Sequence, residues 1–118
     1  MSEANWDRLV GKKIAAVKLD ATSTVITFVT STGEEVAYRA IGDCCSSSWI
    51  AEHDDFGYLA LETIESVEVV GVATFWKDRE ENNQVSLYAI RLHHENGEWM
   101  FELRNESNGY YGGWMEDA

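Results

Sequence analysis

Apolar and polar positions alternate along the first forty residues in the manner of β-strands. Residues 12–19 carry Ile14, Val17 and Leu19 behind Gly11. After a turn at Asp20-Ala21-Thr22, residues 24–30 are rich in β-branched and aromatic side chains, a composition that suits a pleated surface. Ser31-Thr32-Gly33 is a hairpin signal, and residues 35–41 form the return strand. A three-residue loop with Gly33 left-handed pairs Phe28 with Val36 and Ile26 with Tyr38, whereas a two-residue loop would set Phe28 against Ala37 and Ile26 against Arg39. Only the longer loop keeps the large apolar groups together, because a one-residue slip moves every side chain to the opposite face.

The pattern changes after Ile41. Residues 46–55 read as the main helix: serines that can accept from free first-turn N–H groups precede Trp49, and Trp49, Ile50 and His53 share one face. Gly57 should end that helix. Residues 64–72 form another strand with Val67, Val69 and Val70, and the charged stretch 77–84 reads as a surface loop. Residues 85–93 and 98–105 flank Asn96-Gly97, the strongest two-residue turn signal. That turn pairs Leu92 with Phe101 and Ile90 with Leu103, with Arg91 opposite Glu102. The expectation is a single α+β domain over residues 1–118, with its core within about 10–114. It has a mostly antiparallel sheet of about six strands, one main helix and no internal repeat.

Composition supports folding and narrows the partners. The chain has 118 residues, 45% of them hydrophobic, and no proline, which fits one domain with one modest core. The apolar runs are too short to span a membrane. The first residues lack the basic and apolar regions of a signal peptide, which suggests the cytoplasm. Adjacent Cα atoms lie ~3.8 Å apart, below the usual disulfide range, so Cys44 and Cys45 are expected as free thiols. With 21 acids against 9 bases the net charge is −12, which disfavours nucleic acid and anionic membranes and favours a protein partner with a basic surface.

Two runs escape the periodic pattern and are the places to seek function. The first, residues 42–50, places Asp43, Cys44, Cys45, three serines and Trp49 together; the second, residues 108–114, interleaves Tyr110, Tyr111 and Trp114 with glycines. A Cys/His enzyme could use His53 as base, and a metal could draw on Cys44, Cys45, His53, His93 or His94. Adjacent cysteines converge poorly on a tetrahedral ion, however, and His93 and His94 point to opposite faces of a strand. No phosphate-loop, dinucleotide, nucleophile-elbow or zinc-protease motif is present. The reading is a non-enzymatic binding protein without a cofactor.

Two binding surfaces follow from these residues. A small-ligand cleft would use Asp43, Cys45, Trp49, Tyr110, Tyr111 and Trp114, with Arg39, Arg91 or Arg104 answering the phosphates of a nucleotide. A partner-binding surface would use Asp54, Asp55, Glu80 and Glu81. Packing Tyr110 or Tyr111 against the first run would bring the two runs together. Self-association is left open.

The runs Gly42-Asp43-Cys44-Cys45-Ser46-Ser47-Ser48-Trp49-Ile50 and Arg104-Asn105-Glu106-Ser107-Asn108-Gly109-Tyr110-Tyr111-Gly112-Gly113 resemble the hallmark stretches of a small domain family of phages, prophages and some bacteria. The resemblance spans most of residues 10–114, including Ile64-Glu65-Ser66-Val67-Glu68. It brings no activity and no catalytic residues. It implies a setting: a small phage-type accessory protein, of the kind that blocks host defence by capping a host protein or sequestering its nucleotide signal.

Overall fold

The computed structural model describes residues 3–43, 46–78, 80, 83–107 and 112–118. Its strands are β1 (Ile14–Leu19), β2 (Val25–Thr30), β3 (Glu35–Gly42), β4 (Ser47–His53), β5 (Ile64–Asp78), β6 (Asn83–His94), β7 (Gly97–Ser107) and β8 (Gly113–Asp117). They form two antiparallel four-stranded sheets, ordered β1-β2-β3-β8 and β4-β7-β6-β5. The inner faces meet in one core built around Phe28, Tyr38, Trp99 and Phe101.

The expected α+β class is therefore corrected to all-β. Among the described residues the helical elements are two 3₁₀ turns, Trp6–Arg8 and Phe56–Tyr58. The expected main helix is strand β4. Ile50 points inward opposite Leu103, and Trp49 points outward opposite Arg104. Two large apolar side chains are too few for a buried helical stripe, and helix propensity is a weak prior. As a strand, the same segment pairs the backbone of β7, which would otherwise be an open edge. Its serines accept hydrogen bonds from Asn105 instead of capping a helix. Residues 77–84 are also not one loop: β5 runs to Asp78 and β6 begins at Asn83.

The registers divide in the same way. Phe28 faces Val36 and Ile26 faces Tyr38, as the side-chain faces require, and Gly33 takes φ 91°. In the β6–β7 hairpin the turn sits at Glu95-Asn96, with His94 opposite Gly97. Leu92 consequently meets Trp99, Ile90 meets Phe101, and Arg91 meets Met100 rather than Glu102. The slip is an even number of places, so the inner face keeps its apolar set.

The fold also contains an internal repeat, contrary to expectation. Residues from Asn5 into β1 match residues from Asp55 into β5. Asn5 and Asp55 each accept from the backbone N–H two residues on. Leu9 and Leu59 are both fully buried, as are Ile14 and Ile64. Gly11 and Leu61 both have positive φ, 81° and 69°. A register shift follows Ile14 and another follows Ile64. The matched segments bind one another reciprocally. Ile14 N donates to Glu62 O (2.9 Å) and Ile64 N to Lys12 O (3.0 Å); Leu61 N donates to Ile14 O and Gly11 N to Ile64 O, both at 2.7 Å.

Each half is thus a 3₁₀ turn followed by four strands, and each sends its fourth strand into the other's sheet. The sheet orders β1-β2-β3-β8 and β5-β6-β7-β4 are the two halves of this exchange. The principal departure from symmetry is length: β5 and β6 have 15 and 12 residues, against 6 each for β1 and β2.

Candidate functional site

The two irregular runs are symmetry-related connections, β3 to β4 and β7 to β8. They meet where the fourth strands cross. Asp43 N donates to Gly112 O (3.0 Å), and Ser46 Oγ donates to Asp43 O (2.9 Å) and Gly112 O (3.2 Å). Asn105, 2% exposed, donates from Nδ2 to Ser48 Oγ (2.9 Å), Ser46 Oγ (3.2 Å) and Ser47 O (3.4 Å). Gly42 lies opposite Gly113, and a Cβ on Gly113 would fall 2.1 Å from Ser48 Oγ. The glycines allow this close backbone crossing. The polar residues of the runs therefore stitch the crossing together.

An apolar cleft opens nearby, between the inner faces and along the edges of β5 and β8. Its volume is about 180 Å³, and Trp6, Val69, Tyr88, Ile90, Leu103 and Met115 form most of its wall. Trp114 also lines it, and its Nε1 is buried without a hydrogen-bond partner among the described residues. Asp43 and Trp49 do not line this cleft; Trp49 lies on the other side of its sheet, opposite Arg104. Cys44, Cys45, Tyr110 and Tyr111 lie outside the described residues, so the expected ligand set is represented here by Trp114 alone. Beside the cleft Trp6 packs on Tyr38 with ring centroids 4.3 Å apart. The Tyr38 hydroxyl donates to Asn5 O (2.9 Å), and burial pushes its pKa above the ordinary tyrosine value.

The acidic residues expected to bind a partner have mixed roles. Asp54 Oδ2 accepts from Met100 N (3.0 Å), and Asp54 N donates to Met100 O (2.9 Å). Asp55 caps the second 3₁₀ turn by accepting from Gly57 N (2.8 Å), while its carbonyl accepts from buried Trp99 Nε1 (2.9 Å). Glu80 lies in the turn between β5 and β6, and Glu81 is outside the described residues. A dent of about 80 Å³ on the outer face of the second sheet is lined by Glu52, His53, Asp54, Met100 and Glu102. Glu102 joins the acidic patch of Glu52 and Asp54 only because β4 pairs β7. Periodicity along the chain carried no sign of that pairing.

Arg39 is exposed opposite Glu116 on the first sheet, and the other candidate cations are engaged by acids. Arg91 Nη1 stands 3.8 Å from Glu68 Oε1, and Arg104 Nε binds Glu102. His93 lies between Glu68 (3.3 Å) and Glu98 (3.6 Å), and His94 is buried against Glu62 (3.2 Å). Among the described residues no group of three or more His, Cys, Asp or Glu side chains is placed to hold a metal ion.

A family model for a domain of unknown function, DUF7448, matches residues 7–116. The chain belongs to this family. The match takes in both halves of the repeat, both crossing runs and the long β5–β6 hairpin, so the DUF7448 domain here is the whole exchanged-strand unit. No curated protein and no solved structure matches the chain.

Proposed function

We propose that this DUF7448 chain is a non-enzymatic binding protein that docks on a protein partner with a basic surface, using the outer face of its second sheet. The observation that carries this reading is the dent between β4 and β7. Three of its lining residues, Glu52, Asp54 and Glu102, bear carboxylates against one neighbouring cation, Arg104, which binds Glu102 and stands 3.9 Å from Glu52, so an acidic excess remains, and Met100 supplies an apolar wall. A dent of about 80 Å³ suits the end of one long side chain. Lysine and arginine combine a cationic head for the carboxylates with an apolar stem for the methionine. The net charge of −12 would steer a basic partner toward the whole chain.

A nucleotide ligand receives less support, because Arg91 and Arg104 already face Glu68 and Glu102, Arg39 does not line the cleft, and the cleft wall is chiefly apolar. Inhibition of a host protein by a phage-type accessory protein, in the cytoplasm, is the form this reading takes from the sequence resemblance.

The test is affinity capture from a bacterial lysate with the wild-type chain, set against Glu52→Arg, which reverses the more exposed of the dent's two glutamates. The expected result is a basic protein held by the wild type alone, whose association rate falls as salt rises from about 50 to 500 mM, since exposed charges are screened within ~10 Å at 0.1 M. Equal capture by the charge-reversed variant, or a rate flat in salt, would remove this face as the contact.

A further inference from the structure

We infer that the distal half of β5 pairs antiparallel with the same segment of a second copy of this chain. The starting observation is the broken symmetry. The repeat closes its core with short strands β1 and β2, yet the matching β5 continues well past the residues that fill the core. The extra length of β5 is the edge of its sheet. It exposes Val69, Val72, Phe75 and Trp76, and from Val69 to Trp76 no side chain is charged. Long apolar edges without a charge or proline are templates for strand addition.

The identity of the added strand follows from faces and charge. In an antiparallel pair, opposed residues lie on one face. Glu68 lies opposite Arg91, Val70 opposite Ala89 and Phe75 opposite Val85, all on the outer face; Val69 opposite Ile90, Gly71 opposite Tyr88, Thr74 opposite Ser86 and Trp76 opposite Gln84 are on the inner face. The register shift between Gly71 and Ala73 places Val72 outside the ladder and reverses the parity from Ala73 to Trp76, up to the next shift between Trp76 and Asp78. Consequently, any register that lays a β5 residue against its own copy sets inner-face residues on one side of the bulge against outer-face residues on the other.

The faces match in registers that pair residues before the bulge with residues after it, and charge and bulge position select one of these. That register sets Val69 against the second copy's Trp76, Val70 against Phe75 and Gly71 against Thr74, with the two bulges at the two-fold centre. The same register brings Lys77, which the shift between Trp76 and Asp78 leaves outside the ladder, next to Glu68 of the second copy, opposite charges at both ends of the uncharged stretch. Lys77 is on the matching outer side, where its Nζ reaches Glu106 Oε1 (2.9 Å). A closed, isologous two-fold pairing results. It makes one continuous sheet of eight strands, and because Val69 lines the apolar cleft, it brings Trp76 of the second copy to the cleft wall.

Sedimentation equilibrium of the full chain tests the pairing. The expected result is a monomer–dimer equilibrium that Val72→Lys and Thr74→Lys each abolish, with an unchanged circular dichroism spectrum and melting temperature confirming the fold. The register is tested in a Cys44→Ala/Cys45→Ala background by oxidising Val69→Cys and Trp76→Cys variants. The mixture is expected to cross-link and each variant alone is not. A wild type that stays monomeric to about 1 mM, a dimer indifferent to both folded lysine variants, or cross-linking by either cysteine variant alone would overturn the proposal. None of these outcomes depends on the basic partner proposed above.

Discussion

Trp49 and Trp114 hold equivalent places in the two halves of the chain. Each lies on the exchanged fourth strand, one residue before the inward-facing residue of that strand, Ile50 or Met115, and each is opposite the third strand of the other half, at Arg104 or Ile41. The two runs that break the hydrophobic pattern are the approaches to these tryptophans. Their serines and glycines serve a chain crossing that occurs twice around one approximate two-fold axis.

The crossing makes a sharp prediction at two neighbouring glycines. A Cβ on Gly113 would meet Ser48 Oγ at 2.1 Å and Asn105 Nδ2 at 2.5 Å, whereas a Cβ on Gly112 would have nothing within 4 Å. Gly113→Ala should therefore cost about 1–3 kcal/mol, the usual scale of overpacking, and Gly112→Ala should stay within about 0.5 kcal/mol. Urea denaturation of both variants measures this. Equal stabilities would mean that the strands do not approach as described.

Asn105 should be the most costly polar side chain to remove from the crossing. Its Nδ2 donates to acceptors from three consecutive residues, Ser46, Ser47 and Ser48, and it is 2% exposed. Asn105→Ala leaves these oxygens without their donor, at a cost of about 1–3 kcal/mol. Asn105→Asp should be at least as damaging, since it replaces the donor with a buried carboxylate facing hydroxyl and carbonyl oxygens. A variant with the wild-type midpoint in urea would show that the bonds to the serines contribute nothing net.

Some of this structure is legible in the sequence and some is not, for physical reasons. The β2–β3 register was readable because a wrong loop length would have turned Phe28 and Ile26 away from Val36 and Tyr38. The β6–β7 turn was misplaced because Asn96-Gly97 is a strong local signal, while the burial of Trp99 opposite Leu92 decided the register from outside it. Strand β4 was mistaken for a helix because its partner β7 is distant in sequence, and short segments without strict alternation carry no record of such a partner. The repeat was hidden because only its core-facing positions agree: Leu9 with Leu59, Ile14 with Ile64, Val17 with partly buried Val67. Its exposed positions diverge even in charge, as at Lys18 and Glu68.

The repeat predicts an unusual stabilising substitution. Leu61 has φ 69° and is 70% exposed, while its counterpart Gly11 has φ 81°. A left-handed conformation costs an L-residue roughly 1–2 kcal/mol, and glycine's greater unfolded freedom returns roughly half of that. Leu61→Gly should thus stabilise the chain by about 0.5–1 kcal/mol. Gly11→Ala should destabilise it by about 1 kcal/mol. A Leu61→Gly variant that melts below the wild type would show that Leu61 makes contacts outweighing its backbone strain.

The exchange of fourth strands predicts that the C-terminal strand is indispensable to the first sheet. Deleting residues 112–118 removes β8, and β3 loses its outer neighbour from Tyr38 to Gly42. It also removes buried Met115, whose carbonyl accepts from Ala4 N (2.8 Å), and Asp117, which accepts from Asn5 N (2.9 Å) and faces Arg8 (3.4 Å). Burial of one methionine contributes about 1.5–3 kcal/mol, and the lost strand ladder and the freed N-terminal segment add to this. The total loss should exceed about 3 kcal/mol, a large share of the 5–15 kcal/mol typical of a folded domain. Because the strand belongs to the other half's sheet, a synthetic peptide of residues 107–118 should restore the melting transition when added to the truncated chain. Failure of the peptide to bind a truncated chain that remains folded would show that β8 is an accessory edge and not part of the exchange.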